Sequence, residues 1–335
     1  MPTSVLRRLQ CGAAILLALL TAACGGSSAE KKTYQIAVIP KGTTHQFWNT
    51  IHAGAARAER EFQEQGVDVR IIWKGPLRED DREQQIQVVE GFLSQGVSGI
   101  AIAPLDSRAL VRPVEEANAA GIPVLVFDSG LETKNIVSYV ATDNEKGGRM
   151  AGEYMGKLLG GKGRVLLLRY QEGSASTEAR ERGFIEAIKE QFPDIDLISS
   201  DQYAGPTRDT AKRAAENLLN RYTDVQGVFC VNESSASGML LALQDLGRAG
   251  KVKFLGFDAH QEFLDAMARG EMDGFVLQNP FEMGYLAVKT MVQHLQGQQV
   301  PAVIDTGVHI VTRENMNAPA MQDILKPPVE QYLKQ

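Results

Sequence analysis

The hydrophobic pattern of the chain alternates between short apolar runs and longer amphipathic segments. Most of the apolar runs are continuous, which is typical of strands buried on both faces of a parallel sheet. The pattern predicts strands over 34–40, 67–73, 99–103, 124–128, 136–141, 163–169, 195–200, 227–231, 253–257, 274–278 and 303–310. It predicts helices over 46–65, 81–95, 107–120, 143–159, 176–191, 207–222, 234–246, 261–268 and 281–296. Strands that alternate with helices predict an α/β fold.

Two segments of the chain follow one βαβ plan. The strands at 99–103 and 227–231 each lead, through one helix, to a strand that ends in an aspartate, Asp128 or Asp258. Ligands bind outside the carboxyl ends of the strands in open parallel sheets. We therefore expect both aspartates to face a ligand.

The chain continues past the second copy of this plan. The helix at 281–296 and the strand at 303–310 exceed what the second copy needs. One economical arrangement returns the chain to the first sheet and then crosses back once more. Two doubly wound lobes joined by several crossings would hinge around a cleft, which is a common way to enclose a small ligand.

The N-terminus carries the pattern of an export signal. Two arginines precede an apolar run at 13–20, and small residues lead up to Cys24. The run is too short to span a bilayer comfortably, so we interpret 1–23 as a signal peptide. The junction resembles a bacterial lipoprotein box, which predicts a lipid on Cys24 and a flexible tether over 24–33. Ordinary cleavage that leaves a free protein is the alternative, because Thr21 stands where that box usually has leucine.

Composition and charge narrow the classes of function. Cys230 is the only cysteine beyond the predicted signal junction, so we expect no disulfide within the folded chain and a buried, inert thiol. The formal net charge is −6 and no basic block is present, which disfavours nucleic acid as a partner. The five histidines lack metal-ligand spacing, and we expect neither a metal nor a cofactor.

Enzyme motifs are weak in this sequence. Residues 156–163 come within one residue of a phosphate-binding loop, but they lack its final Ser or Thr and lie between a helix and a strand. Such a loop must follow a strand and open a helix, so we interpret this segment as a helix stop and a turn. Asp128 and Asp258 could form the acid pair of a carbohydrate-active enzyme. That function is a remote alternative, because ligand binding accounts for both carboxylates without a catalytic step.

An ordered set of residues along the chain carries a family resemblance. These residues are Phe47, Trp48, Asp128, Arg180, Asn232, Asp258 and Gln278. In order and spacing the set resembles the ribose-type periplasmic sugar-binding proteins of ABC importers. The resemblance covers nearly the whole chain beyond the signal, and the same fold occurs in the sensor domain of lactose-repressor-like regulators.

The resemblance implies the periplasmic-binding-protein type I fold. Two doubly wound parallel-sheet lobes are joined in that fold by three crossings, which would lie here near Ala141, Gln278 and Asp305. The implied lobes are 34–141 plus 279–305 and 142–278 plus 306–335. The resemblance also implies that the ordered set binds a sugar or polyol between the lobes.

The residue types in this set suit a sugar ring, which has hydroxyls around its edge and an apolar C–H face. The aromatic pair could cover the face. The two aspartates would accept hydroxyl protons, and Arg180 would donate in a fixed fork. Asn232 and Gln278 can donate and accept together.

The sequence also departs from the ribose pattern. Ser129 and His45 stand where ribose binders carry Arg and Asn, and Lys41 lies in a longer first loop. Trp73 and Lys74 at the end of the second strand could add an aromatic wall and a cation. These five residues are further candidates for ligand binding and suggest a modified, larger or anionic sugar. The alternative is that both lysines are solvated charges at the rim.

The partner implied by the resemblance is an ABC permease in the cytoplasmic membrane, with this chain acting as a monomer in the periplasm or cell envelope. A chemoreceptor or sensor kinase is the alternative partner, because either would respond to the closed shape. The export signal argues against a repressor, since those proteins begin with a DNA-binding helix-turn-helix.

Overall fold

The structure is a computed structural model that describes residues 33–333 of the chain. The predicted signal peptide over 1–23 and the predicted lipidation of Cys24 lie outside the described residues, as does nearly all of the predicted tether. No helix among the described residues is long and apolar enough to cross a membrane.

Twelve strands and eleven helices make up the described part of the chain. The strands are β1 (Tyr34–Ile39), β2 (Val69–Trp73), β3 (Gly99–Ile102), β4 (Val124–Phe127), β5 (Tyr139–Ala141), β6 (Lys162–Arg169), β7 (Asp194–Tyr203), β8 (Gly227–Cys230), β9 (Lys253–Phe257), β10 (Gly274–Gln278), β11 (Val303–Asp305) and β12 (Val308–Thr312). The helices are α1 (Gln46–Glu64), α2 (Arg82–Gln95), α3 (Val111–Ala119), α4 (Asn144–Leu158), α5 (Ala175–Gln191), α6 (Arg208–Arg221), α7 (Glu233–Asp245), α8 (Gln261–Arg269), α9 (Pro280–Leu295), α10 (Pro319–Leu325) and α11 (Val329–Leu333).

The first lobe is built on a parallel sheet with the strand order β11-β5-β4-β3-β1-β2. Successive residues of a strand point to opposite faces, and β1 buries apolar side chains on both. Ile36 and Val38 pack with residues of α1 and α9, whereas Ala37 and Ile39 pack with residues of α2 and α3. Burial on both faces explains the continuous apolar runs.

The second lobe repeats this arrangement with the strand order β12-β10-β9-β8-β6-β7. Val165 and Leu167 of β6 pack with α4 and α5, whereas Leu166 and Leu168 face α6, α7 and α8. Only β12 runs antiparallel to its neighbour among the paired strands of this sheet. The predicted α/β fold with two doubly wound lobes is confirmed.

The chain passes between the two sheets at 142–143, 279 and 306–307. The single strand predicted at 303–310 is wrong, because β11 pairs with β5 in the first sheet and β12 pairs with β10 in the second. Gly307 separates the two strands with a φ of 83°, a conformation that glycine adopts without steric cost.

The C-terminal segment, residues 313–333, contacts both lobes. Ile324 and Leu325 of α10 pack against the core of the second lobe. Tyr332 of α11 instead lies with its ring centroid 5.8 Å from that of Phe281 and 4.9 Å from the guanidinium carbon of Arg60 in α1. The expectation that 306–335 belongs to the second lobe therefore does not hold for the last helix, which packs on the first.

Candidate functional site

A cavity lies where the carboxyl ends of strands from both sheets face each other. It contains about 330 Å³ of space outside the protein atoms, part of it open to solvent. Its lining includes every residue of the ordered set: Phe47, Trp48, Asp128, Arg180, Asn232, Asp258 and Gln278. The lining side chains come from both lobes, so a ligand in this cavity would contact both.

Asp128 and Asp258 occupy matching positions directly after β4 and β9. Their φ angles are 62° and 70°, and they are the two non-glycine residues with positive φ in the described range. Aspartate tolerates this left-handed region better than most residues. Each backbone N–H donates to a neighbouring strand, Asp128 to the carbonyl of Val140 and Asp258 to that of Val276. The turn of the backbone at each strand end aims the carboxylate at the cavity, and unusual backbone geometry of this kind clusters at functional sites.

Asp258 is held by two donors from its own lobe. Its Oδ2 accepts from the backbone N–H of Glu233 at 2.9 Å, and its Oδ1 accepts from Nε2 of Gln278 at 2.6 Å. Burial raises the pKa of Asp258 above its ordinary value, and Arg180 opposes this shift. The Oε1 of Gln278 is buried and has no hydrogen-bond partner among residues 33–333. Buried acceptors are nearly always paired, so an unpaired amide oxygen in a residue that lines the cavity is unusual.

Arg180 is a rigid donor at the floor of the cavity. Its Nε donates to Oδ1 of Asn144 at 2.8 Å and its Nη1 to the carbonyl of Val231 at 2.9 Å. The guanidinium carbon lies 3.8 Å from the ring centroid of Phe257, where a cation is attracted to the aromatic face. Burial lowers the pKa of Arg180, while Asp258 and Asp128 favour the charged form.

Close packing of α4 on α5 sets the position of Arg180. A Cβ added at Gly148 would lie 2.0 Å from the carbonyl oxygen of Arg180, and one added at Gly183 would lie 2.1 Å from that of Glu145. Both positions therefore require glycine, because any side chain would push the two helices apart. The first lobe uses the same contact between α1 and α9, at Gly54 and Gly284.

Lys41 is buried in the contact between the lobes. Its Nζ lies 3.2 Å from Oδ2 of Asp128, and it donates to the hydroxyls of Ser174 at 3.2 Å and Ser176 at 3.0 Å. These serines lie at the start of α5 in the second lobe. The backbone N–H of Ser176 also donates to Oγ of Ser129 at 3.1 Å. Lys41 is 3% exposed, so the alternative of a solvated rim charge is wrong for this lysine.

Glu79 forms the centre of a buried cluster that was not predicted from the sequence. Its Oε1 accepts from Nε1 of Trp48 at 2.7 Å and lies 2.6 Å from Nδ1 of His45. Its Oε2 accepts from the hydroxyl of Tyr170 at 2.5 Å. Because Tyr170 follows β6, this last bond joins the second lobe to the first.

Glu79 and His45 shift each other's pKa in opposite directions. Burial alone would raise the pKa of Glu79, but His45 and the hydrogen bonds from His45, Tyr170 and Trp48 lower it to about 2. Burial likewise opposes the charged form of His45, but Glu79, with Glu233 and Asp258, raises its pKa to about 9. The two groups form an ion pair at neutral pH.

Glu233 reaches across the cleft to the start of α1. Its carboxylate accepts from the backbone N–H of Phe47 at 3.1 Å and from that of Gln46 at 3.4 Å. Helix N-termini leave unpaired N–H groups that favour anions, and the N-cap residue His45 makes no side-chain cap. Burial is the main reason that the pKa of Glu233 is raised to about 7. Glu233 thus caps a helix of the opposite lobe.

The aromatic pair and Asn232 contribute unequally to the cavity. The Phe47 and Trp48 rings meet edge to face, with centroids 5.0 Å apart. Trp48 is 2% exposed and packs in the core of the first lobe, whereas Phe47 is half-buried. The Asn232 side chain caps α7 by accepting from the N–H of Ser235 at 3.2 Å. Phe47 therefore offers the larger free aromatic surface.

Trp73 and Lys74 do not line the cavity. The Trp73 ring stacks on His52 with centroids 4.4 Å apart, and Lys74 is exposed. The physical reason is that β2 is the edge strand of the first sheet, which places its end away from the other lining strands. The interpretation of Lys74 as a solvated charge agrees with this position.

Four further residues line the cavity that were not predicted from the sequence: Tyr170, Ser176, Thr177 and Glu233. Tyr170 and Glu233 come at or just after the ends of β6 and β8, so the strand-end rule that found the aspartates would have found them too. Glu79 lies in a loop within an acidic stretch, and nothing in the local pattern separates it from its solvated neighbours.

Each cationic side chain that lines the cavity lies near a carboxylate of the protein. Lys41 pairs with Asp128 and His45 with Glu79, while Arg180 lies near both aspartates. No group of three or more His, Cys, Asp or Glu side chains that could hold a metal occurs in the described part of the chain. This arrangement suits a neutral ligand with several hydroxyls.

Comparison with known proteins places the chain among solute-binding proteins. Residues 36–299 match the periplasmic binding protein domain family. The D-allose-binding periplasmic protein of Escherichia coli is 32% identical over 80% of this chain and 86% of its own length. The ribose import binding protein of Bacillus subtilis is 29% identical over 86% of this chain and 90% of its own. An ABC transporter solute binding protein from Agrobacterium vitis with bound D-fucose superposes with a TM-score of 0.83 at 31% identity, covering 87% of this chain and 99% of that one.

Proposed function

Because this chain belongs to the periplasmic binding protein domain family, we propose that it captures a neutral sugar or polyol between its lobes and delivers it to an ABC importer. The observation that carries this proposal is the pair of strand-end carboxylates, one from each lobe, in matching left-handed turns that border one cavity. Relatives that bind ribose, allose or fucose support a sugar as the class of ligand.

A neutral ligand fits the electrostatics better than an anionic one. Lys41 and His45, the cations that suggested an acidic sugar, each face a carboxylate of the protein at 3.2 Å and 2.6 Å. An anionic ligand would have to displace these carboxylates or lie unpaired beside Asp258 and Glu233. Either arrangement is unfavourable in a buried site.

Ligand binding would stabilise closure of the lobes. Only a ligand that contacts the closed state more strongly than the open state can shift the population toward closure. The cavity meets this condition because Asp128 and Arg180 lie in different lobes and line it together. The bonds that join the lobes directly, through Lys41, Glu79 and Glu233, would form in the same step.

The proposal is tested by a thermal-shift screen with D-ribose, D-allose, D-arabinose, D-fucose, D-tagatose and myo-inositol, followed by titration calorimetry. A ligand that binds only the native state raises the apparent melting temperature. We expect at least one compound to bind with about micromolar affinity, close to −8 kcal/mol. Glucuronate and galacturonate serve as anionic comparisons. Binding of these acids with no binding of any neutral compound would contradict the neutral assignment.

Export, anchoring and the non-enzymatic role belong to the same proposal. We propose a periplasmic or cell-envelope location with a lipid on Cys24, and palmitate labelling of the wild type with no labelling of Cys24→Ser would support it. We further propose that the chain is a monomer and does not transform its ligand. Recovery of the bound sugar unchanged after prolonged incubation is the expected result, and appearance of a hydrolysis product would contradict it.

A further inference from the structure

A second chamber adjoins the ligand cavity beneath the C-terminal segment. It contains about 820 Å³ of space outside the protein atoms, part of it open to solvent, against about 330 Å³ for the ligand cavity. Its walls come from the first turns of α1 and α8, the end of β10 and residues 324–329. The ligands named for three relatives, ribose, allose and fucose, are each a single sugar ring.

The two spaces share part of their lining. Phe47, Asp258 and Gln278 line both the ligand cavity and the second chamber. Gln278, whose buried Oε1 has no hydrogen-bond partner among residues 33–333, therefore lies at the boundary between them. Its amide orientation follows from Nε2, which donates to the Asp258 carboxylate at 2.6 Å. A ligand oxygen that donates to Gln278 would place its neighbouring substituents at the entrance of the second chamber.

The outer wall of the chamber depends on contacts with both lobes. Ile324 and Leu325 are fixed on the core of the second lobe. Tyr332 is fixed on α1 and α9 of the first lobe, and Nη2 of Arg60 donates to the carbonyl of Gln331 at 3.3 Å. Lys326, Pro327 and Val329 lie between these two anchored parts and line the chamber. They therefore cover the chamber when the lobes are in contact.

The lining of the chamber is mainly neutral. Leu277, Pro280 and Ile324 supply apolar surface. The side chains of Thr50 and Gln261 supply neutral donors and acceptors. Two charged side chains, Asp258 and Lys326, line the chamber. The Asp258 carboxylate already accepts two hydrogen bonds from its own lobe. Apolar surface with neutral hydrogen-bonding groups again matches the chemistry of a sugar ring.

We propose that the ligand of this protein is a glycoside or disaccharide, whose first ring lies between Asp128 and Asp258 and whose second ring enters this chamber. The proposal rests on the proposed function, since it assigns the first ring to the cavity described above. It extends that function from a single sugar ring to a substituted one.

The test uses sugars in which one hydroxyl at a time carries a methyl group. The parent is the neutral monosaccharide that binds most tightly in the thermal-shift screen, and its mono-O-methyl isomers, including both methyl glycosides, are titrated by calorimetry. We expect one isomer to keep its affinity within about threefold of the parent. The others should weaken by more than thirtyfold, because the added carbon would meet side chains that line the ligand cavity. A disaccharide linked through the tolerated oxygen should bind at least as tightly as the parent.

A variant that fills the chamber separates this proposal from a general effect on binding. Gln261 is exposed and bonds to Asp265 within the same helix, so Gln261→Trp should fold. It should weaken the disaccharide more than tenfold and leave the parent sugar within threefold. Gln95→Trp, at an exposed position that lines neither space, is the matched control and should change neither affinity.

Each remaining outcome decides against at least one of the two proposals. If the parent sugar binds but every O-methyl isomer loses more than thirtyfold, the glycoside proposal is overturned and the sugar-binding function stands. If Gln261→Trp weakens the parent and the disaccharide equally, the chamber does not hold the second ring. If no neutral sugar or polyol binds at all, the proposed function fails, and the glycoside proposal fails with it.

Discussion

The hydroxyl of Tyr170 should control ligand affinity through closure of the lobes. It donates to the ionised carboxylate of Glu79 at 2.5 Å, and the two residues belong to different lobes. A hydrogen bond to a charged group contributes about 1.5–3 kcal/mol. If the bond exists only in the closed state, Tyr170→Phe lowers the stability of that state by this amount and weakens ligand binding by about 10- to 150-fold.

Titration calorimetry with the best neutral sugar of the panel measures this effect. The melting temperature of the ligand-free protein should change little, because the bond is absent when the lobes are apart. Tyr203→Phe removes an exposed hydroxyl of the same lobe and should leave the affinity unchanged. A double-mutant cycle with Glu79→Gln isolates the pairwise contribution. Unchanged affinity in Tyr170→Phe, or full additivity in the cycle, would refute the reasoning.

Three further predictions follow from the site. The pKa of His45 is raised from 6.5 to about 9, so its contribution to stability is complete below pH 6.5 and is lost as the pH rises toward 9. Melting temperatures from pH 6 to 9.5 should fall more steeply in wild type than in His45→Gln, and equal slopes would contradict this. Lys41→Met should weaken binding of the neutral sugar at least tenfold by calorimetry, because it removes bonds that join the lobes and leaves the buried Asp128 carboxylate unpaired; a twofold change or less would count against that role. Gly148→Ala should lower the free energy of unfolding by about 1–3 kcal/mol in denaturant titrations and weaken sugar binding, because its Cβ meets the backbone of Arg180. Gly91→Ala, at a helical position with open space, should instead stabilise by about 0.4–1 kcal/mol.

The fold was predictable because its signal is repeated and local. Continuous apolar strands such as β4 and β8 are buried on both faces, and this pattern survives in the sequence without knowledge of long-range contacts. The sequence predicts a single strand at 303–310 because β11 and β12 are both short and rich in β-branched residues. Only the pairing with β5 and with β10 shows that they lie in different sheets.

The site was predictable where a residue follows a strand and unpredictable where it depends on the other lobe. Asp128 and Asp258 are visible as strand-end carboxylates. Glu79 has no such mark, and its importance comes from Trp48, His45 and Tyr170 converging on it. Glu233 likewise gains its role from the unpaired N–H groups of α1 across the cleft. Contacts of this kind are properties of the closed pair of lobes.

The most direct test of the account is the affinity of an Asp128→Asn and Asp258→Asn double variant for the neutral sugar that the wild type binds. Asparagine tolerates the left-handed turn at both positions, so the substitution removes the charges with little strain. Calorimetry should give about micromolar binding in wild type and a loss of more than a hundredfold in the double variant. Wild-type affinity in a double variant that is folded would contradict the claim that the two lobes hold the ligand through these carboxylates.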